Sequence, residues 1–189
     1  MKKLNLPDWL SVYRMVAVPV IIGVLVLEKE QWFIWLILLS LATDIADGAI
    51  ARRTHQTTQR GTKLDSIGDM LTLLLMVAGL FRFKMDFLEE HYLPLLVIAA
   101  LYVGQLLFAL LKFKQTTSFH TYLIKLAFLL LGVFYLVLFF YTFIPWLYYI
   151  AMIAMALSLV EEITLVAVLP EPKQNVQGLY WVWQHQKNQ

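Results

Sequence analysis

Residues 32–53 read WFIWLILLSLATDIADGAIARR, and residues 62–82 read TKLDSIGDMLTLLLMVAGLFR. Each run is close to the ~20 apolar residues that a helix needs to cross a bilayer core. Together they nevertheless hold four of the six aspartates in the chain: Asp44, Asp47, Asp65 and Asp69. A carboxylate at membrane depth is costly unless something compensates it. This pair of runs therefore decides the fold class and marks the region in which function is to be sought.

Working outward, apolar runs of similar length recur at 9–27, 94–113, 120–141 and 144–168. The expectation is an all-α polytopic membrane protein with six transmembrane helices and a short amino-terminal interfacial segment. Composition agrees: 60% of the 189 residues are hydrophobic and only 15% are charged, against about 25% charged in an ordinary soluble domain. Mean hydropathy is +0.70. With no long polar linker, residues 1–189 read as a single domain. The run beginning near Trp9 is followed by no small-residue cleavage site, so it reads as a retained span rather than a signal peptide. A net charge of +2 and the absence of cysteine exclude a nucleic-acid-binding surface, a disulfide framework and a thiolate metal site.

Basic residues set the topology. Lys2 and Lys3 precede the first run, Arg52, Arg53, Arg60 and Lys63 surround the second break, and Lys112 and Lys114 close the fourth run. These positions alternate onto one side, which the positive-inside rule makes cytoplasmic, with both termini there. The four aspartates approach the same side. Asp44 and Asp47 are three residues apart, with Ala51 four further on, and Asp65 and Asp69 are four apart, so each set shares one helix face. Bare, four neighbouring carboxylates repel one another strongly. Divalent cations supply the missing charge, and hard oxygen ligands favour magnesium, manganese or calcium over zinc. Magnesium is commonly completed by substrate phosphate, which points to phosphoryl chemistry.

The intervening residues sharpen this reading. The segment runs Asp44-x-x-Asp47-Gly48-x-x-Ala51-Arg52, eight residues, Gly61, three residues, Asp65, three residues, Asp69. It resembles the signature of the CDP-alcohol phosphotransferase (phosphatidyltransferase) family at every fixed position. Asn5-Leu6-Pro7 with Arg14 and Pro19 is similar to the amino-terminal segment of the phosphatidylglycerophosphate synthase branch. The resemblance implies two divalent cations, magnesium or manganese, held by Asp44, Asp47 and Asp65, with Asp69 near the second metal and serving as general base. It further implies CDP-diacylglycerol as donor and CMP as leaving group. Asp44, Gly48, Ala51, Arg52 and Gly61 would line the nucleotide site. A homodimer in a bacterial inner membrane, with its active site toward the cytosol, completes the expectation.

The acceptor is read from the fourth-to-fifth break, where Lys112, His120, Thr121 and Lys125 offer cations and hydroxyls to an anionic alcohol. Glycerol 3-phosphate is the first choice, then phosphatidylglycerol, with inositol phosphate and serine behind. This half departs from the resembled branch: Gly104-Gln105 and Lys112 stand where an Arg-Glu pair and a later Arg are common, and Ser118-Phe119-His120-Thr121 where a Lys-x-Lys-Thr run is common. Glu161 and Glu162, near the end of the last run, either reach the interface or line the acceptor site. Outside this class, a divalent cation transporter also accounts for intramembrane carboxylates, and Tyr180, Trp181 and Trp183 read as an interfacial belt.

Overall fold

The computed structural model describes residues 6–54, 59–114, 121–171, 176 and 178–187, with side chains described for 16–43, 68, 70–114, 121–171, 176 and 178–184. The described residues form helices and contain no strand: α1 Leu6–Val26, α2 Glu30–Thr54, α3 Gln59–Phe83, α4 Met85–Phe113, α5 Tyr122–Phe140, α6 Pro145–Val168 and α7 Leu179–Lys187. Six long helices fall on the six expected runs, and α7 is an addition. Among the described residues α4, α5 and α6 are long and apolar enough to cross a membrane. α1, α2 and α3 contribute the shorter apolar stretches Val16–Val26, Glu30–Thr43 and Met70–Phe83. The architecture is that of an integral membrane protein.

Backbone packing divides the chain into two compact units, Met1–Glu90 and His91–Gln189. In the first, α1, α2 and α3 pack against one another. α1 ends in a Schellman turn: Glu28 adopts φ 59°, its N–H reaches the Leu25 carbonyl, and the Lys29 N–H reaches that of Val24. Ion pairs of Arg82 with Glu28 and of Lys84 with Glu30, the latter 2.7 Å long, bring the end of α3 to the start of α2. α2 and α3 are therefore antiparallel. Ile21, Phe33, Ile37, Leu75 and Met76 are buried, and the Phe33 and Phe83 rings lie 5.4 Å apart.

In the second unit α5 packs on α6, and α7 on α6. Ala127, Met155 and Leu159 form one buried cluster with Ile98 and Leu101 against it. Ala109, Leu165, Val166, Leu169 and Val176 form another, covered by Phe113, Leu179 and Val182. The expected start of the fourth span, Pro94, is instead internal to α4. A proline ring clashes with the carbonyl four residues back and donates no hydrogen bond. His91 consequently leaves helical geometry at φ −127°, ψ 22°. Its carbonyl accepts from Tyr148 Oη at 2.7 Å, and Tyr148 is completely buried. Within a membrane helix, a neighbour must satisfy such a displaced group because lipid offers no partner.

Candidate active site

Helix register places the aspartates. Along α2, Phe33, Ile37 and Ser40 are buried at spacings of four and three. Continued at about 100° per residue, the same stripe passes through Asp44, Asp47 and Ala51. Along α3 the stripe of Thr72, Leu75 and Met76 runs back through Asp69, Gly68 and Asp65 to Gly61. By register, every aspartate of the signature continues the line of buried positions on one of two antiparallel helices.

Height along the helices agrees with register. Asp44 lies ten residues before the end of α2, and Asp69 ten residues after the start of α3. At 1.5 Å per residue this is about 15 Å from the respective helix end in both cases. Asp47 and Asp65 stand seven and six residues from those same ends. Polar residues lead into this region: Ser40 and Thr72 are buried, Thr43 Oγ1 donates to the Ser40 carbonyl at 2.8 Å, and Thr72 Oγ1 donates to that of Gly68 at 2.9 Å. The Thr43 and Thr72 hydroxyls are thereby satisfied within their own helices, at a depth where a bare one is costly.

Among the described side chains no three His, Asp or Glu groups converge. Those of Asp44, Asp47, Asp65 and Asp69, like those of Ala51 and Arg52, lie outside the described set, as do the surroundings of Gly48 and Gly61. The fit to a metal therefore rests on register and donor chemistry. Four carboxylates at matched positions along two antiparallel helices are, by their chemistry, a donor set for hard divalent cations.

The acceptor candidates fall at the other end of the sequence. Lys112, in the last turn of α4, donates from Nζ to the carbonyls of Val166 and Ala167, each at 2.8 Å. Val166 would ordinarily bond the N–H four residues on, but residue 170 is proline, so the lysine supplies the missing donor. Thr121 is fully buried, and its Oγ1 accepts from the Ile124 N–H as the N-cap of α5. Lys125 is exposed, with Nζ 5.6 Å from the centre of the Tyr122 ring. His120 lies outside the described residues. Glu161 accepts from the Leu179 N–H at 3.0 Å, so one of the two unexplained acids holds the start of α7. Sequence reading missed this contact because nothing local pairs residues so far apart.

Two antiparallel helices bearing the four aspartates define the class as an α-helical integral membrane protein with an acidic intramembrane motif. The chain belongs to the CDP-alcohol phosphatidyltransferase family, whose profile matches residues 4–163. Among curated proteins it is 30% identical over 97 residues to a CDP-diacylglycerol–glycerol-3-phosphate 3-phosphatidyltransferase of Yersinia enterocolitica, covering 48% of this chain and 47% of that one. The protein of that name from Yersinia pestis is 34% identical over the same length and coverage. A cardiolipin synthase (CMP-forming) of Streptomyces coelicolor is 30% identical over 83 residues, 41% of this chain and 39% of the other. The chain thus spans about half the length, or less, of these relatives. No solved structure matches it.

Proposed function

We propose that this chain is a phosphatidyltransferase of phospholipid biosynthesis. It moves the phosphatidyl group of CDP-diacylglycerol to an alcohol, with glycerol 3-phosphate as the preferred acceptor, and releases CMP. The observation that carries the proposal is the complete aspartate signature in the sequences of the two antiparallel helices α2 and α3. The Yersinia relatives, named for the same transfer, support the acceptor. The Streptomyces relative favours phosphatidylglycerol as the second reading. Inositol phosphate and serine rank behind both.

In this proposal Asp44, Asp47, Asp65 and Asp69 hold two magnesium or manganese ions. When bound, these ions supply Lewis-acid stabilisation of charge on the diphosphate and on departing CMP. Gly48, Ala51 and Gly61 leave room for the nucleotide against the backbone, and Arg52 offers a guanidinium to a phosphate oxygen. Asp69 takes the proton of the acceptor hydroxyl as its oxygen bonds to the phosphatidyl phosphorus and the bond to CMP breaks. No phosphoenzyme is needed. Lys125 and His120 bind the acceptor anion, alongside the framework formed by Lys112 and Thr121.

The same reading takes residues 1–189 as one domain, supported by a family match that extends through both packing units. It takes all six long helices as spans: α1, with 21 residues, reaches about 31 Å against a ~30 Å core, and α5, the shortest with 19, about 28 Å. The site and both termini face the cytosol of a bacterial inner membrane, and the enzyme works as a homodimer. Purified protein in vesicles with CDP-diacylglycerol and a panel of acceptors tests the proposal. Lipid product and CMP should appear together with glycerol 3-phosphate; metal flux without nucleotide turnover would instead establish the transporter.

A further inference from the structure

The last helix lies beyond the family match, and the proposed chemistry gives it no task. We infer that α7 is an interfacial helix, lying in the headgroup layer of one leaflet with Tyr180 and Trp183 against lipid and its start pinned to the last span by Glu161. The inference rests on α5 and α6 crossing the membrane and is independent of which reaction the protein catalyses.

Aromatic residues mark two levels in the second unit. Tyr122, 57% exposed, begins α5, while Tyr141, 80% exposed, follows its end and Trp146, 64% exposed, opens α6. α5 has 19 residues, which at 1.5 Å each separates these levels by about 28 Å, close to the ~30 Å hydrocarbon thickness. Tyrosine and tryptophan concentrate at the two edges of that layer. α7 stands at the Tyr122 edge, since the Trp181 ring lies 5.6 Å from that of Tyr122.

The contacts of α7 leave one flank for lipid. Leu179 and Val182 pack on the Leu165–Val166 cluster, whereas Tyr180 and Trp183, three residues apart, are 63% and 66% exposed. Such rings have a large apolar body and one polar group, which suits a boundary between acyl chains and water. Between α6 and α7 an apolar cleft of about 320 Å³, lined by Thr164, Val168, Leu179, Val182 and Trp183, offers space for the upper part of an acyl chain.

The pin is built closely. The first N–H groups of a helix have no internal partner, and Glu161 Oε1 accepts the one from Leu179. A carboxylate there also suits the positive end of the helix dipole. Gly178 makes the approach possible: at φ +155° it adopts a conformation that other residues rarely reach, and a Cβ would stand 3.0 Å from Glu161 Oε1 and 3.2 Å from a Trp181 ring carbon. An acid within the last span is thereby accounted for as the anchor of a surface helix.

The cysteine-free chain allows a direct test. Tyr180→Cys carrying a nitroxide is placed in vesicles of phosphatidylethanolamine and phosphatidylglycerol, and its collisions with oxygen and with a water-soluble nickel complex are compared. The expected result is a several-fold excess of oxygen over nickel accessibility relative to the free label in buffer. Accessibility equal to that of the free label would overturn the inference. Glu161→Ala, and independently Gly178→Ala, should shift the label toward nickel, while Glu161→Gln, which retains an acceptor oxygen, should not. If both the Glu161→Ala and Gly178→Ala proteins keep the original accessibility, the pin is refuted.

Discussion

Replacing Lys112 by methionine separates two roles for one side chain. The ammonium donates to both Val166 and Ala167 carbonyls at 2.8 Å, and Pro170 removes the donor that Val166 would otherwise use. A hydrogen bond to a charged group is worth about 1.5–3 kcal/mol, and a cation at a helix C-terminus about 0.3–1 kcal/mol. Lys112 is exposed, so solvent competes for its donors, and the expected loss is about 1–2 kcal/mol in total. This corresponds to a shift of about 5–30-fold in the folding equilibrium. Unfolding of the purified protein in mixed micelles, followed by circular dichroism, reads that loss, and KM for glycerol 3-phosphate is measured on the folded fraction. The cap predicts reduced stability, partial recovery in Lys112→Arg, and a KM changed by less than about threefold, under 0.7 kcal/mol. Unchanged stability with a tenfold rise in KM would refute the reasoning and make Lys112 an acceptor ligand.

Asp65→Asn and Asp69→Asn should each abolish measurable CMP release while the protein still inserts in membranes; wild-type turnover in either would remove the roles proposed for them. Chelation of divalent ions should stop lipid product formation, and added magnesium or manganese should restore it, as followed by CMP release. Tyr148→Phe leaves the His91 carbonyl without its 2.7 Å partner and should lower stability by about 0.5–2 kcal/mol in the unfolding assay, the range for hydrogen bonds between membrane helices. Arg82→Ala breaks a pair whose side chains are 46% and 64% exposed, so its effect should stay within about 1 kcal/mol.

Legibility followed the range of the interactions. Runs of apolar residues are properties of adjacent turns, and the six long helices could be read from them, whereas the aspartate side chains lie outside the described residues. The α4 kink is half visible: Pro94 marks a break, but in sequence alone it reads as a start because the compensating Tyr148 lies 57 positions from His91. Lys112 obeys the charge rule and also caps α6; only the fold brings it to the carbonyl that Pro170 leaves without a partner. α7 was legible as an aromatic cluster and not as a helix, since its nine residues are too few to show a convincing apolar period. Its stability comes from Glu161 and the Leu165–Val166 cluster, which sequence order hides.

The distribution of cations bears on what neutralises the four aspartates. Arg82 and Lys84 are engaged with Glu28 and Glu30, at the far ends of the helices that carry the aspartates. Glu30 is fourteen residues before Asp44 in α2, or about 21 Å along the helix, too distant to share a counter-charge effectively. Arg52, Arg53, Arg60 and Lys63 are close in sequence, but helix register sets them about 80–160° away from the Asp44–Asp47–Ala51 and Gly61–Asp65–Asp69 stripes. By register, the positions that continue these stripes through the signature are acids and small residues. Two like-charged carboxylates at one site raise each other's proton affinity, and four do so more strongly. Four carboxylates sharing one region therefore call for counter-charge, which divalent cations bound at the proposed site would supply while leaving coordination sites for a diphosphate.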